Sequence, residues 1–270
     1  MKKTDNLLEL NNSTRSSSIE LLRIIAMFMI ICHHFAVHGH FISPMTDMSF
    51  LNFWRLFMRI GGKVGVDIFI LISGYYLINS KKTFDLKKII KFNLQLLFYS
   101  CSIYILFRFL LHKPYVAGAK YNLFPAFTNM WWFATCYFML FLIYPFLNVL
   151  AHNISQDSYK KMLILGLSLY SLLMTFFPFP IFNEFLWFII LYLLAAYIRL
   201  YSWKPRKLFH KLSDSSAYFL CAVIPFILIF CINLSILCFA SKSNFYRLLN
   251  QYNSMQSVFI VLISLYLWRF

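Results

Sequence analysis

Four of the seven histidines in this 270-residue chain lie between positions 33 and 40, at the end of an apolar stretch that begins at Arg23. The stretch reads RIIAMFMIICHHFAVHGH. Arg23 and His34 are eleven residues apart. On a helix this puts them within about 20° of one face and roughly 16 Å apart along the axis. Such a pair could line one cavity, with the guanidinium near its mouth and the imidazole deep inside. There the ring could take and return a proton near neutral pH. His38 lies one turn beyond His34 on that face, and His33 points about 80° away. A plainer reading is open too: an arginine at the end of a span anchors it by snorkelling, and a histidine inside one is a packed residue. The His34/His38 spacing suits two metal ligands, but no carboxylate or third histidine supports the pair, and no metal site is expected.

A second group of residues lies in GGKVGVDIFILISGYYLINSKK, residues 61–82. Asp67 is the one acid embedded well within an apolar run. A carboxylate there needs a partner; orienting His34 or pairing with Arg23 would each supply one. Ser73 and Gly74 allow close helix contact or close approach of a ligand to the backbone.

The elements that must position these residues follow from composition. Apolar residues make up 61% of the chain and charged residues 13%, and the net charge is +16. An ordinary soluble domain is about 25% charged. These values exclude a soluble enzyme, a disordered chain and a disulfide scaffold. They predict an all-α, polytopic transmembrane helical bundle. Eight apolar runs cover 24–40, 64–79, 92–111, 131–150, 162–177, 184–201, 217–240 and 252–268. They are continuous rather than alternating, which disfavours a β-barrel. The six cysteines lie in or beside these runs without a CxxC pair, and read as small apolar residues.

The segment 1–19 is a polar tail with no cleavage site after the first run, so that run is expected to remain as an uncleaved span. Residues 20–270 are expected to form one membrane domain. With the N-terminus inside, cytoplasmic segments carry seventeen basic residues against eight outside. That asymmetry predicts a cytoplasmic N-terminus. The loop RLYSWKPRKLFHKLSD, residues 199–214, is its strongest single contribution. The basic excess is thereby explained by cytoplasmic loops, and no nucleic-acid partner is expected.

The pattern Arg-x10-His followed by G-V-D-x-F-x-x-x-S-G-Y-x-L resembles the acyltransferase-3 family of bacterial membrane O-acyltransferases. Arg23, His34, Gly65, Asp67, Phe69, Ser73 and Gly74 carry the likeness. The aromatic stretch WFATCYFMLFLIYPFLN, residues 132–148, is similar to a later span of that family. The resemblance implies a multi-pass enzyme of the bacterial plasma membrane. It would move an acyl group, usually acetyl, from cytoplasmic acyl-CoA to a hydroxyl of a cell-surface glycan such as capsule or another polysaccharide. No bound cofactor is implied; acetyl-CoA is the donor substrate. Arg23 and His34 inherit the catalytic role, with Asp67 beside them. Ser73, Gly74, Lys88, Lys91 and Trp132 are the candidate substrate contacts. Lys88 and Lys91 stand where relatives carry an arginine pair, although lysine lacks the bidentate fork for phosphate. The family usually has about ten spans, so this chain is expected to be C-terminally short.

Two other classes fit the same residues. Buried His, Arg and Asp could form the proton relay of a transporter or flippase. The short C-terminus would also suit an inactive acyltransferase. Hydrolysis of labelled acetyl-CoA by the purified protein separates enzyme from transporter.

Overall fold

The computed structural model describes residues 17–39, 41, 48–80, 86–112, 119–128, 131–177, 183–203, 213–240 and 242–269. Most of the polar tail, Lys81, Lys82 and the Lys204–Lys211 loop therefore lie outside the described residues. Every regular element among the described residues is helical. The helices are α1 (Ser17–His38), α2 (Phe50–Leu77), α3 (Leu86–Ile105), α4 (Ala119–Leu123), α5 (Trp132–Asn153) and α6 (Gln156–Leu167). They continue as α7 (Leu173–Phe176), α8 (Glu184–Leu200), α9 (Asp214–Phe239), α10 (Lys242–Tyr252) and α11 (Val258–Arg269). A π-helical turn at Leu106–Leu110 extends α3, and another at Ser168–Leu172 joins α6 to α7.

Most of the apolar runs read from the sequence fall largely within helices; the run 252–268 is interrupted by turns at 253–257, and only α11 from Val258 is helical there. Helices satisfy their own backbone, as hydrocarbon demands. Among the described residues, four stretches are long and apolar enough to cross a membrane: α1, Leu86–Leu110, α5 and α9. The protein is an all-α membrane protein. Polar caps mark the starts of α6, α8 and α9. Asn183 Oδ1 accepts from the amides of Phe185 and Leu186 at 2.9 and 3.1 Å, opening α8. Ser213 and Ser155 do the same, more loosely, for α9 and α6.

The chain divides into two compact units. The first takes residues up to Ser73, Leu167–Phe179 and Lys204–Phe270. In it α9 packs along α11. Leu56 of α2 forms a buried cluster with Ile236, Phe245 and Leu249. Asn233 and Asn253 exchange reciprocal amide hydrogen bonds of 2.9 and 2.7 Å, so neither buried side chain is left dry. Thr175 Oγ1 accepts from the amide of Val258, at the start of α11, at 2.9 Å.

The second unit takes Gly74–Gly166 and Pro180–Trp203. Its centre is α8, buried along most of its length and packed on α5. Asn148 of α5 donates to the Leu77 carbonyl at 2.8 Å and accepts from Tyr192 Oη at 2.6 Å. Tyr159 Oη donates to the Leu193 carbonyl at 2.9 Å.

Two elements differ from the sequence reading. The apolar run 64–79 is only the second half of α2, which starts fourteen residues earlier at Phe50. The extension carries Arg55, Arg59 and Lys63, which spoil its hydropathy. Leu56 and Ile60, both fully buried, nevertheless hold it helical. Likewise α10 is too polar to read as a span. It folds because Phe245 and Leu249, one turn apart, both reach the cluster around Leu56.

Candidate functional site

Helix α1 is held against α2 by a stripe of small residues. A Cβ on Gly62 would lie 2.2 Å from His33 Cβ, and one on Gly65 would lie 2.6 Å from the Ala26 carbonyl oxygen. No other residue allows that approach. At Gly61 the nearest atom, on Met29, is at a relaxed 3.5 Å. The face of α1 that meets the glycines therefore carries Ala26, Met29 and His33, at the i, i+3, i+7 spacing of one helical stripe.

His33 is buried there, with Nδ1 2.6 Å from the carbonyl oxygen of Arg59. A carbonyl can only accept, so Nδ1 carries the proton. His34, the next residue, is turned about 100° from it and is exposed within its unit. The histidine packed in this contact is therefore His33. The Nδ1 of His34 lies 2.8 Å from the Ile30 carbonyl of its own helix. That bond fixes the proton on Nδ1 and leaves the Nε2 lone pair as the basic atom of a neutral ring. His38 follows, its ring centroid 5.8 Å from that of His34. Among the described residues no third metal-ligating side chain joins this pair.

Arg23 is half-buried, and its Nη1 makes a 2.8 Å ion pair with Glu20 one turn earlier. The helix keeps Arg23 and His34 on one stripe, at the flank of the glycine-packed face. Asp67 is fully buried. It lies roughly 190° around α2 from the Gly61–Gly62–Gly65 stripe, on the side away from α1. Orienting His34 or pairing with Arg23 would require the opposite side of α2. The structure thus brings Arg23 and His34 onto one face and turns Asp67 away from it.

Ser73 and Gly74 are occupied with packing. Ser73 Oγ donates to the Phe69 carbonyl at 2.8 Å, within α2. A Cβ on Gly74 would lie 2.7 Å from the Tyr192 carbonyl oxygen and 3.0 Å from Ala195 Cβ. The space beside Gly74 is filled by α8, and a ligand does not reach its backbone there. Lys88 and Lys91 are exposed on α3. Lys91 borders an open, shallow surface shared with Lys87, Leu94, Gln95 and Phe98 of the same helix. Trp132 is half-buried, its ring 6.3 Å from that of Phe188.

The sequence reading passed over Asn148. A lone asparagine inside an aromatic span was a legible signal, and it joins α5, α8 and the end of α2 within the second unit. The reading also passed over the bond between His33 and Arg59, for which no local signal exists.

No curated protein and no solved structure matches the chain. A family model described as an acyltransferase domain, Acyl_transf_3, matches residues 16–269, from just before α1 to the end of α11. With its apolar helices and the Arg23–His34 stripe inside that match, the chain belongs to the acyltransferase-3 family of membrane acyltransferases.

Proposed function

We propose that this protein is an integral-membrane O-acyltransferase. It takes an acyl group, acetyl foremost, from cytoplasmic acyl-CoA and delivers it to a hydroxyl of a cell-surface glycan. The observation that carries the reading is the family match across the chain, with Arg23 and His34 on one stripe of α1 inside it.

The chemistry asks for a base at the acceptor hydroxyl and a cation at the donor phosphates. His34 Nε2 takes the hydroxyl proton as the oxygen forms its bond to the acyl carbon. The carbon–sulfur bond breaks, and the imidazolium returns its proton to the departing thiolate. Arg23 stands three turns away, about 16 Å along the axis. That separation suits a grip on the phosphates of CoA rather than contact with the reacting carbonyl. The N-terminus is cytoplasmic in this reading, which places Arg23 on the donor side and the histidines towards the acceptor.

The test is direct. Purified protein in nanodiscs is supplied with labelled acetyl-CoA, and release or transfer of the label is followed for wild type and His34→Ala. Glycan NMR of a deletion strain identifies the acceptor by the O-acetyl signal that disappears. Label turnover by His34→Ala at the wild-type rate would refute the assignment of that residue.

A further inference from the structure

The first half of α2 carries Arg55, Arg59 and Lys63 at four-residue spacing, a cationic ladder on one side of the helix. Its middle member is the residue whose carbonyl receives the His33 bond. The guanidinium of Arg59 is half-buried and is clamped by Asn250 Oδ1 of α10. Among the described residues that neutral amide is the acceptor it meets, and one amide oxygen uses one of five donors. On α10, Arg247 is likewise held by a neutral side chain, Asn244, at 3.1 Å. Tyr246 is 57% exposed and lies within electrostatic reach of both Arg55 and Arg59. No acidic residue occurs between residues 48 and 66 or in α10. A partly desolvated guanidinium with a neutral partner has the geometry of a cation awaiting an anion. The exposed ring beside it offers a face for a sugar.

We propose that Arg59 and Asn250, with Tyr246 and Arg247, form an acceptor subsite for an acidic glycan, gripping its carboxylate or phosphate next to the histidine end of α1. This deepens the acyltransferase reading and rests on it for the identity of the bound molecule as acceptor. A phospholipid headgroup offers similar phosphate chemistry, but an arginine that only snorkels extends freely, whereas this one is clamped to a neighbouring helix. The His33 bond to the Arg59 carbonyl ties the subsite to α1, so an anion seated here brings its sugar to the helix that carries His34.

The experiment uses the full chain in phosphatidylcholine nanodiscs without acyl-CoA, so binding is read apart from transfer. The probes are a glucuronate-containing tetrasaccharide and its carboxyl-reduced, neutral counterpart, followed by tryptophan fluorescence. The wild type is expected to bind the acidic form at least about tenfold more tightly, the scale of one charge-assisted contact. Arg59→Gln should erase that preference. Asn250→Asp, which gives Arg59 an internal carboxylate and so protects the fold, should erase it too. Equal binding of both forms by the wild type overturns the proposal, as does a preference that survives in either variant. Native mass spectrometry provides the lipid arm: loss of a bound phospholipid from Arg59→Gln, with no acidic preference in the wild type, makes this a lipid site and overturns it as well. An acidic preference in a protein that neither hydrolyses nor transfers acetyl supports the anion site and refutes the acyltransferase reading.

Discussion

The Nδ1 of His33 donates a 2.6 Å hydrogen bond to the carbonyl oxygen of Arg59, across the glycine-lined contact of α1 with α2. His34, its neighbour, bonds only within its own helix and presents Nε2 outward. The two adjacent histidines are therefore expected to have separate duties: His33 in the helix contact and, in the proposed reaction, His34 in the chemistry. His33→Ala leaves a gap beside Gly62 and an unmet carbonyl lone pair, and should cost about 1–3 kcal/mol of stability. His33→Asn, whose amide nitrogen reaches the same position, should recover most of that. His34→Ala should leave Tm unchanged and cost roughly 10²–10⁴ in transfer rate. Tm and turnover, measured on the three proteins in detergent, give the separation. A His33→Ala protein with normal Tm and lost turnover would reverse the assignment.

The glycines of α2 are not equivalent, and alanine should expose this. At Gly62 the added methyl meets His33 Cβ at 2.2 Å, so the helices must part or shift. Overpacking of this kind costs about 1–3 kcal/mol. At Gly61 the nearest neighbour is the flexible side chain of Met29 at 3.5 Å, an ordinary contact. Gly62→Ala should lower Tm and disturb turnover through the displaced α1, while Gly61→Ala should be close to wild type. Thermal unfolding of both variants checks the ordering, and a Tm for Gly62→Ala equal to that of Gly61→Ala would contradict the contact.

In the second unit Tyr192→Phe removes the hydroxyl that donates to Asn148 at 2.6 Å and leaves a buried amide oxygen without its donor. The expected loss is about 1–3 kcal/mol, the cost of an unsatisfied buried acceptor. Asn148→Leu removes the acceptor of the Tyr192 hydroxyl and one of two donors to the Leu77 carbonyl, which keeps the Ser80 amide at 2.9 Å. A double-mutant cycle on Asn148 and Tyr192 should therefore show coupling of about 0.5 kcal/mol or more. Strictly additive losses would mean that the two side chains act separately.

Much of this architecture was legible because hydrocarbon permits so little. Long apolar runs in a chain with few charges had to be helices, and the spacing of Arg23 and His34 had to put them on one face. What could not be read was which face of α1 packs. That depends on Gly61, Gly62 and Gly65, which lie on another helix, and a glycine declares its neighbour only once both helices are in place. The same contact decided the fate of Asp67. Its type and burial were evident, but its direction follows from α2 having turned its glycines, and not its acid, towards α1. The extension of α2 back to Phe50 was obscured because Arg55, Arg59 and Lys63 lower the local hydropathy while Leu56 and Ile60 supply the buried stripe.

Arg23 sits in a 2.8 Å ion pair with Glu20, and both side chains remain about a third exposed. Such a pair is worth little as a stabiliser, so its disruption isolates what the guanidinium does for the substrate. Arg23→Lys keeps the positive charge and loses the planar fork with which a guanidinium can bind phosphate in two places. If Arg23 grips the CoA phosphates, KM for acetyl-CoA should rise about tenfold with kcat and membrane level little changed. Glu20→Gln frees the guanidinium from its internal anion and should lower that KM or leave it as it was. The pair of variants is decisive because an anchoring role predicts neither change: an anchor tolerates lysine, and its partner is indifferent to donor affinity. Steady-state kinetics against acetyl-CoA at fixed acceptor, repeated at raised ionic strength, reads both. A normal KM in Arg23→Lys would assign this arginine to topology alone.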